Sequence, residues 1–150
     1  MANLISQKCY YGIKAVYDLA DHRAEAPVKI SAIAARQSIP IRFLEAILRQ
    51  LRQAGFVDSR RGSEGGYLLA KHPSQIKILD IIQYFEGDFA QFPGLGEGPP
   101  AEEDDAGHVL ADVWGQSQEA LLKVLDHWTI ADLLDKAEEQ RATYVANFTI

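Results

Sequence analysis

A glycine-rich turn between two short apolar segments constrains the fold of this chain more than any other feature. Residues 56–59 and 67–70 read FVDS and YLLA, and the turn region between them contains two adjacent arginines and three glycines: Arg60, Arg61, Gly62, Gly65 and Gly66. Short apolar runs that flank such a turn predict a β-hairpin. We therefore expect a small two-stranded wing with a cationic tip.

The residues before this hairpin, 40–53, have the pattern of an amphipathic helix. With about 100° between successive residues, the apolar side chains share one half of the helix surface: Phe43, Leu44, Ile47, Leu48 and Leu51. The opposite half carries small and polar side chains: Arg42, Glu45, Ala46, Arg49 and Gln53. A helix that reads the major groove of DNA presents donors and acceptors in this way. The alternative is a solvated helix face that a Glu45–Arg49 pair stabilises.

Further helices are predicted on both sides of this unit. Spacings of three and four predict a first helix between residues 4 and 23, with a buried stripe of Cys9, Ile13, Val16, Leu19 and Ala20. Pro27 is predicted to end this helix, Ile30 to lie in an extended link, and Ser31 to N-cap a second helix. Pro40 suits the first turn of the third helix. Residues 78–86 predict a fourth helix that begins without a good cap.

The C-terminal part is predicted to contain a loop, a long helix and a last short helix. Residues 87–107 hold five glycines, three prolines and six acidic residues, which argues for a flexible loop. A stripe with the spacing of a coiled-coil seam follows: Leu110, Trp114, Ser117, Leu121, Val124 and Trp128. We interpret it as a dimerisation surface, with packing on the chain's own domain as the alternative. Residues 129–132 resemble a capping box for the last helix.

The charge of the chain is divided between its two halves. The net charge is −6, but residues 1–75 carry eleven Lys and Arg against six Asp and Glu, and residues 76–150 carry four against fifteen. The N-terminal half can therefore attract phosphates while the C-terminal half repels them. No apolar run reaches the roughly 20 residues that a membrane span needs, and the N-terminus lacks the pattern of a signal peptide. We expect a cytoplasmic protein without membrane contact.

Five segments follow one another in the order and spacing of one family: IAARQ at 33–37, FLE at 43–45, LRQAGFV at 51–57, RGSEGGYLLA at 61–70 and IIQYFEG at 81–87. Through them, the chain resembles the Rrf2 family of bacterial transcriptional regulators from residue 5 to about 87 and again over 114–134. The wing is the most specific part of this resemblance, because Arg-Gly-x-x-Gly-Gly-Tyr requires several matches at once.

The resemblance implies a mainly α fold with a small β-hairpin wing, in which a winged helix-turn-helix precedes a long C-terminal dimerisation helix. It implies a homodimer that binds double-stranded DNA at a pseudo-palindromic operator. Arg42, Phe43 and Glu45 then occupy the base-reading start of the recognition helix, and Arg60 and Arg61 lie beside the minor groove. The whole predicted DNA-binding set is Ser31, Arg42, Phe43, Glu45, Ala46, Arg49, Arg60, Arg61, Gly65, Gly66 and Tyr67.

The predicted organisation is a DNA-binding domain at 1–86, an acidic loop at 87–107 and a dimerisation region at 108–150. Iron-sulfur members of the family place three cysteines in this loop, where the present chain has none. We expect no cysteine-ligated cluster, no metal and no cofactor, and we interpret Cys9 as a core residue rather than a redox sensor. A metal site formed by acidic residues and one histidine is an alternative: Glu102, Glu103, Asp104, Asp105 and His108.

The predicted function is that of a sequence-specific transcriptional regulator, in the form of a homodimeric repressor, that responds to a small molecule or to a partner protein. Phe89, Phe92 and Leu95 are candidates to line an effector site. An enzyme is not expected, because the sequence contains no catalytic constellation and no phosphate-cradling motif. The alternative is a winged-helix adaptor that no longer binds an operator and acts through protein contacts.

Overall fold

A computed structural model of the 150-residue chain describes residues 5–87 and 104–148. These residues form six α-helices and one two-stranded antiparallel sheet. The elements are α1 (Gln7–Asp21), α2 (Ile30–Gln37), α3 (Ile41–Gln53), β1 (Val57–Arg60), β2 (Gly66–Leu69), α4 (Ile78–Glu86), α5 (Asp105–His127) and α6 (Ile130–Phe148). The predicted fold class, mainly helical with a small hairpin wing, is confirmed.

The first helix is shorter than predicted at both ends. α1 begins at Gln7 because Ser6 caps it, with the Ser6 hydroxyl accepting a hydrogen bond of 3.1 Å from the Cys9 amide. It ends at Asp21, several residues before Pro27. Most of the predicted stripe of α1 is buried, while its remaining member, Ile13, is only half-buried.

α2 begins earlier than predicted. The Lys29 carbonyl accepts hydrogen bonds from the amides of Ala32 and Ile33 at 3.0 and 3.3 Å, so Ile30 is already helical. The predictions of an extended Ile30 and of Ser31 as the N-cap are therefore wrong. Ser31 lies instead inside the first turn of α2.

A tight turn separates α2 from α3. Ser38 adopts a left-handed conformation with φ 53°, and Ile39 is buried beneath the turn. Pro40 lies at the N-cap of α3 rather than in its first turn, and its carbonyl accepts from the amides of Phe43 and Leu44 at 3.0 and 3.1 Å. Together, α2, this turn and α3 form the helix-turn-helix.

β1 and β2 form the predicted hairpin, with each strand displaced by one residue from its predicted range. Val57 lies opposite Leu69, and Arg60 lies opposite Gly66. Val28, which precedes α2, also pairs with β2. The Val28 amide donates to the Tyr67 carbonyl at 2.7 Å, and the Tyr67 amide donates to the Val28 carbonyl at 2.8 Å. This bridge attaches the wing to the segment that leads into α2.

The hydrophobic core lies where α1 packs against α3 and α4. Its most deeply buried side chains include Leu19, Leu44, Leu48, Leu51 and Ile81, each at most 1% exposed. α3 packs against this core through one side only, the side that carries its buried leucines and isoleucine. Its other side is left for solvent or a partner.

A buried carboxylate joins α1 to α2. Asp18 is 0% exposed and accepts hydrogen bonds from Arg36 Nε at 3.0 Å, from Arg36 Nη2 at 2.8 Å and from Gln37 Nε2 at 3.0 Å. Hydrogen bonding to Asp18 raises the pKa of Arg36 above its already high usual value. The three bonds hold the end of α2, and with it the turn into α3, against α1.

The C-terminal helices also contact the N-terminal core. The Ile78 amide donates to the Trp128 carbonyl at 2.9 Å, and the Ile130 amide donates to the Ile76 carbonyl at 2.9 Å. α5 packs against α4, and α6 packs against α1. Within the described residues, no helix is both long enough and apolar enough to cross a membrane.

Two boundaries in the C-terminal part differ from the prediction. The predicted loop ends too late, because Asp104 caps α5 by accepting from the Gly107 amide at 2.6 Å. Trp128 does not belong to the helical stripe, since it follows the last residue of α5. The predicted effector residues of the loop lie outside the described residues, as do two of the candidate metal ligands: Phe89, Phe92, Leu95, Glu102 and Glu103.

The last helix is long rather than short. α6 has 19 residues. Its predicted capping box is present, because the Thr129 amide donates to Asp132 Oδ2 at 2.7 Å and the Asp132 amide donates to the Thr129 hydroxyl at 3.2 Å. The Thr129 hydroxyl also donates to Asp132 Oδ2 at 2.7 Å, and this bond, together with the one from the Thr129 amide, lowers the pKa of Asp132 below its usual value.

Candidate nucleic-acid interface

The outward face of α3 carries the side chains predicted to read DNA. Arg42, Glu45, Ala46 and Arg49 are all exposed, opposite the buried apolar half of the helix. Among the described residues, neither arginine has an ion-pair partner, and Glu45 and Arg49 are not paired with each other. The alternative of a solvated face stabilised by that pair therefore loses its main support.

Phe43 is not a core residue, contrary to the prediction. Its side chain is 63% exposed. Phe43 stands at the edge of the apolar half of α3, next to Arg42, and the core formed by Leu44 and Leu48 lies farther round the helix. Its location at the start of α3 agrees with the predicted recognition set, in which it appears beside Arg42.

The wing presents two free arginines. Arg60 ends β1 and Arg61 begins the turn, both are exposed, and neither has an ion-pair partner among residues 5–87 and 104–148. A third arginine, on α3, makes a contact within the protein. Arg52 on α3 donates to the Ser59 hydroxyl at 2.8 Å and so connects the recognition helix directly to β1.

Arg52 was missed by the sequence reasoning, although it lies at the edge of the polar half of α3, about 20° from Glu45 around the helix. At about 100° per residue, Arg52 is about 60° from Arg49 on the helix surface. The sequence did contain one indication of this contact. The first strand follows α3 after only a few residues, so a long side chain near the end of α3 can reach a hydroxyl group on that strand.

Gly65 and Gly66 belong to the predicted DNA-binding set, but the structure assigns both a backbone role. A Cβ atom on Gly66 would lie 2.4 Å from the Val28 carbonyl oxygen, and one on Gly65 would lie 2.3 Å from the Arg60 carbonyl oxygen. Tyr67 is half-buried and forms the bridge to Val28 through its backbone. These residues shape the wing that carries the arginines. Ser31, the remaining member of the set, is exposed on α2.

An apolar strip runs along the solvent side of α5. Val109, Leu110, Val113 and Val124 are between 53% and 62% exposed. Of the predicted stripe, Leu110, Ser117 and Val124 are exposed, whereas Trp114 and Leu121 are half-buried. The predicted seam thus straddles the boundary between the inner and outer sides of α5, and the exposed strip is rotated toward Val109 and Val113.

A family model named Rrf2 and described as an iron-dependent transcriptional regulator matches residues 5–136. The chain belongs to the Rrf2 family. Rrf2 proteins related to it include the HTH-type transcriptional regulator CymR of Bacillus subtilis, which is 31% identical over 141 residues, 94% of this chain and 96% of CymR.

Solved structures agree with this assignment. The structure of CymR, described as the global cysteine regulator of B. subtilis, superposes with a TM-score of 0.74 at 32% identity and covers 88% of this chain and 96% of that one. T. potens IscR superposes with a TM-score of 0.72 at 39% identity, covering 91% and 89%. This Rrf2 chain is therefore a DNA-binding transcriptional regulator and not an enzyme.

The description of the family as iron-dependent implies an iron cofactor, but the residues of this Rrf2 chain do not fit a cysteine-ligated cluster. Cys9 is the only cysteine and is 0% exposed. Burial, with a contribution from the nearby Glu86 carboxylate, raises the pKa of the Cys9 thiol to about 12. Because thiolates are the usual ligands of iron-sulfur clusters, this buried thiol is a poor one.

The alternative metal site has no support among the described residues. No group of three or more His, Cys, Asp or Glu side chains within 5–87 and 104–148 is arranged to hold a metal ion. Asp104 instead caps α5, and the Nδ1 atom of His108 lies 2.9 Å from the Asp104 carbonyl oxygen. Both side chains thus have local roles at the start of the helix.

Proposed function

We propose that this Rrf2 regulator is a cytoplasmic homodimeric repressor that binds a pseudo-palindromic operator through α3 and the wing. The observation that carries the proposal is the set of exposed arginines without described ion-pair partners on these two elements: Arg42, Arg49, Arg60 and Arg61. Unpaired guanidinium groups are available to phosphates and base edges without first breaking a pair within the protein. Repression follows if the bound dimer excludes RNA polymerase from the promoter.

In this proposal, the exposed face of α3 reads bases in the major groove. Glu45 accepts a hydrogen bond from a cytosine amino group, and Arg42 donates to guanine or to a phosphate. Phe43 makes apolar contact with a thymine methyl group. Arg60 and Arg61 contact the minor groove or its phosphates, and Arg52 keeps the wing at a constant distance from α3 through Ser59.

The exposed strip of α5 is the proposed dimer interface. A row of apolar side chains on a monomer is stabilised when a second copy covers it, and a twofold axis places the same strip on both sides of the interface. A dimer of this kind presents two recognition helices to successive major grooves about 34 Å apart. Residues 5–86 then serve DNA binding and residues 104–148 serve assembly.

Binding to the best operator is expected to weaken steeply with salt. Each phosphate that the protein neutralises contributes about −0.9 to the slope of log affinity against log salt concentration. Replacing Arg60 and Arg61 with glutamine removes up to four cationic contacts per dimer and is expected to make the slope shallower by about 3 to 4. Fluorescence anisotropy over a salt series measures it, using an operator selected from genomic fragments that the purified protein binds.

The matched control for this experiment is R141Q. Arg141 lies on α6, where it pairs with Asp21 at 3.4 Å, so its replacement leaves the proposed contacts intact and is expected to leave the slope unchanged. A flat salt dependence of the unmodified protein would refute the assignment of the four arginines. If no genomic fragment is bound specifically and a stable protein partner is found instead, the adaptor function replaces the present proposal.

Placing a charge in the exposed strip of α5 is expected to dissociate the dimer. In V113E, each interface would bury two uncompensated carboxylates, one from each copy, and we expect the dimer dissociation constant to rise by about 100-fold or more. Sedimentation equilibrium measures this change. G115E is the control, because Gly115 lies about 160° from Val113 around α5 and has open space beside it. Equal dimerisation of V113E and the unmodified protein would exclude this strip.

A further inference from the structure

A cavity of about 430 Å³ lies where the end of α1 meets the first half of α6. Two connecting segments complete its lining. Arg23 and Ala24 contribute from the one-turn helix that follows α1, and His72 contributes from the segment that follows β2. The volume of the cavity falls within the range of small-molecule sites, about 300 to 1,000 Å³.

The lining of this cavity is apolar where it is buried and charged where it is exposed. Ala20 is 1% exposed, and Ala131 and Leu134 are half-buried. The charged members of the lining are exposed and form a rim around this apolar interior: Asp21, Arg23, Asp135, Glu138 and Arg141. A ligand that fits the cavity therefore has an apolar body and carries its charges at one end.

Three of the charged side chains at the rim are available to a ligand. Arg23, Asp135 and Glu138 have no ion-pair partner in the part of the chain that the structure describes. Asp21 and Arg141 differ from them, because Arg141 Nη2 lies 3.4 Å from Asp21 Oδ2 and the two charges offset each other. The rim thus offers one free guanidinium group and two free carboxylates.

This combination of charges favours a ligand that carries both signs. An anion alone would face two carboxylates, and a cation alone would leave the guanidinium group uncompensated. A zwitterion can place its carboxylate at Arg23 and its ammonium group at Asp135 and Glu138. Because Arg23 does not pair with either acidic side chain, such a ligand enters without breaking an ion pair of the protein.

The cavity also lies next to the attachment of the wing. Ala24 shortly precedes Val28, and His72 shortly follows Tyr67, the two residues whose backbone bridge attaches the wing. Both segments that leave this bridge therefore line the cavity. A ligand that joins Arg23 to α6 restrains the segment that carries Val28, and through the bridge it restrains the wing.

We propose that this cavity binds a small zwitterion with an apolar body, of the size of the amino acid leucine, and that this ligand is a corepressor. Its carboxylate contacts Arg23, its ammonium group contacts Asp135 and Glu138, and its apolar body packs on Leu134. The ligand favours the conformation in which the wing is held against the segment before α2, and it therefore strengthens the operator complex. This last step rests on the proposed repressor function.

The binding step is tested without DNA by isothermal titration calorimetry. The probes are L-leucine, isocaproate, which lacks the ammonium group, and isoamylamine, which lacks the carboxylate. We expect L-leucine to bind saturably and more tightly than either analogue. R23Q is expected to weaken binding of L-leucine by about threefold to fivefold without weakening isoamylamine. The double variant D135N/E138Q is expected to weaken L-leucine by about threefold to tenfold without weakening isocaproate.

E139Q and K136Q are the matched controls on α6, since neither Glu139 nor Lys136 lines the cavity. Both are expected to bind L-leucine as the unmodified protein does. Circular dichroism and thermal melting of each variant show that weaker binding does not reflect lost folding. Three outcomes overturn the site: no saturable binding of L-leucine, an effect of R23Q on isoamylamine equal to its effect on L-leucine, or an effect of E139Q equal to that of D135N/E138Q.

Regulation is tested by hydrogen exchange and by operator binding. Saturating L-leucine is expected to slow exchange of the Val28 and Tyr67 amides and to tighten the complex with the selected operator by about threefold or more in fluorescence anisotropy. At the same L-leucine concentration, R23Q should show smaller effects. An operator affinity that saturating L-leucine leaves unchanged overturns the corepressor role. Failure to bind any operator, with or without L-leucine, refutes the repressor function instead and leaves the calorimetric result to decide the site.

Discussion

Replacing Gly66 with alanine is expected to detach the wing and to weaken operator binding by about 30-fold to 1,000-fold, which corresponds to about 1 to 2 kcal/mol for each of the two wings. The added Cβ would lie 2.4 Å from the Val28 carbonyl oxygen and 2.6 Å from its carbonyl carbon. Both atoms belong to the backbone, so no side chain can rotate away. Relief requires that Val28 and Tyr67 separate, which breaks their hydrogen bonds of 2.7 and 2.8 Å.

Anisotropy titration of the operator measures the loss of affinity, and hydrogen exchange at the Val28 and Tyr67 amides measures the detachment itself. G62A is the matched control in the same hairpin. Gly62 has φ 111°, so alanine is strained there, but nothing lies within 4 Å of the added Cβ and the bridge is preserved. We expect G62A to keep the protection of both amides. Full operator affinity in G66A would show that the wing makes no contribution to binding.

The sequence predicted the wing and α3 well because local chemistry determines them. The glycines of the turn allow the chain to reverse direction, whatever packs around the hairpin. The spacing of the buried apolar residues of α3 is that of a helix with one buried side: Leu44, Ile47, Leu48 and Leu51. The strand ends were each displaced by one residue because the ladder runs from Val57 opposite Leu69 to Arg60 opposite Gly66, one residue closer to the turn than the apolar runs extend. The pairing of Tyr67 with Val28 adds a contact between distant parts of the chain. Periodicity cannot reveal such a contact.

The errors occurred where tertiary packing decides. Phe43 has the chemistry of a core residue, but it lies at the rim of the apolar half, where a cavity remains between α1 and α3. Trp128 and Leu121 fit a heptad spacing, yet Leu121 packs partly on the chain's own core and Trp128 lies beyond the end of α5. The spacing identified a helix with an apolar strip. It did not distinguish the side that faces α4 from the side that faces solvent.

Asp18 was absent from every prediction, although it is the most deeply buried charged residue that the structure describes. A carboxylate within an apolar stripe is interpreted as a surface residue unless its partners are known, and the side chains that donate hydrogen bonds to Asp18 lie 18 and 19 residues away on α2. Burial is tolerated because Arg36 and Gln37 together donate three hydrogen bonds to it.

Replacing Asp18 with alanine is expected to lower the free energy of unfolding by about 3 to 5 kcal/mol. The change leaves the Gln37 amide group without its acceptor, removes the counterion of Arg36 and opens a polar hole between α1 and α2. For a chain of this length, the midpoint of thermal unfolding should fall by about 6 to 20 °C. Urea unfolding followed by circular dichroism gives the free energy directly, and calorimetry gives the midpoint.

The control is D21A on the same helix. Asp21 also faces an arginine, but its contact with Arg141 Nη2 is 3.4 Å long and the Asp21 side chain is 31% exposed. An ion pair that water reaches contributes about 1 kcal/mol at most, so D21A should be close to the unmodified protein in stability. The comparison separates burial and hydrogen bonding from charge, because both variants remove one carboxylate opposite one guanidinium group. If D18A and D21A lowered the free energy of unfolding equally little, Arg36 and Gln37 would have other partners or water in D18A. The position of α2 would then depend on the packing of Ile33 and Ala34 in the core rather than on Asp18.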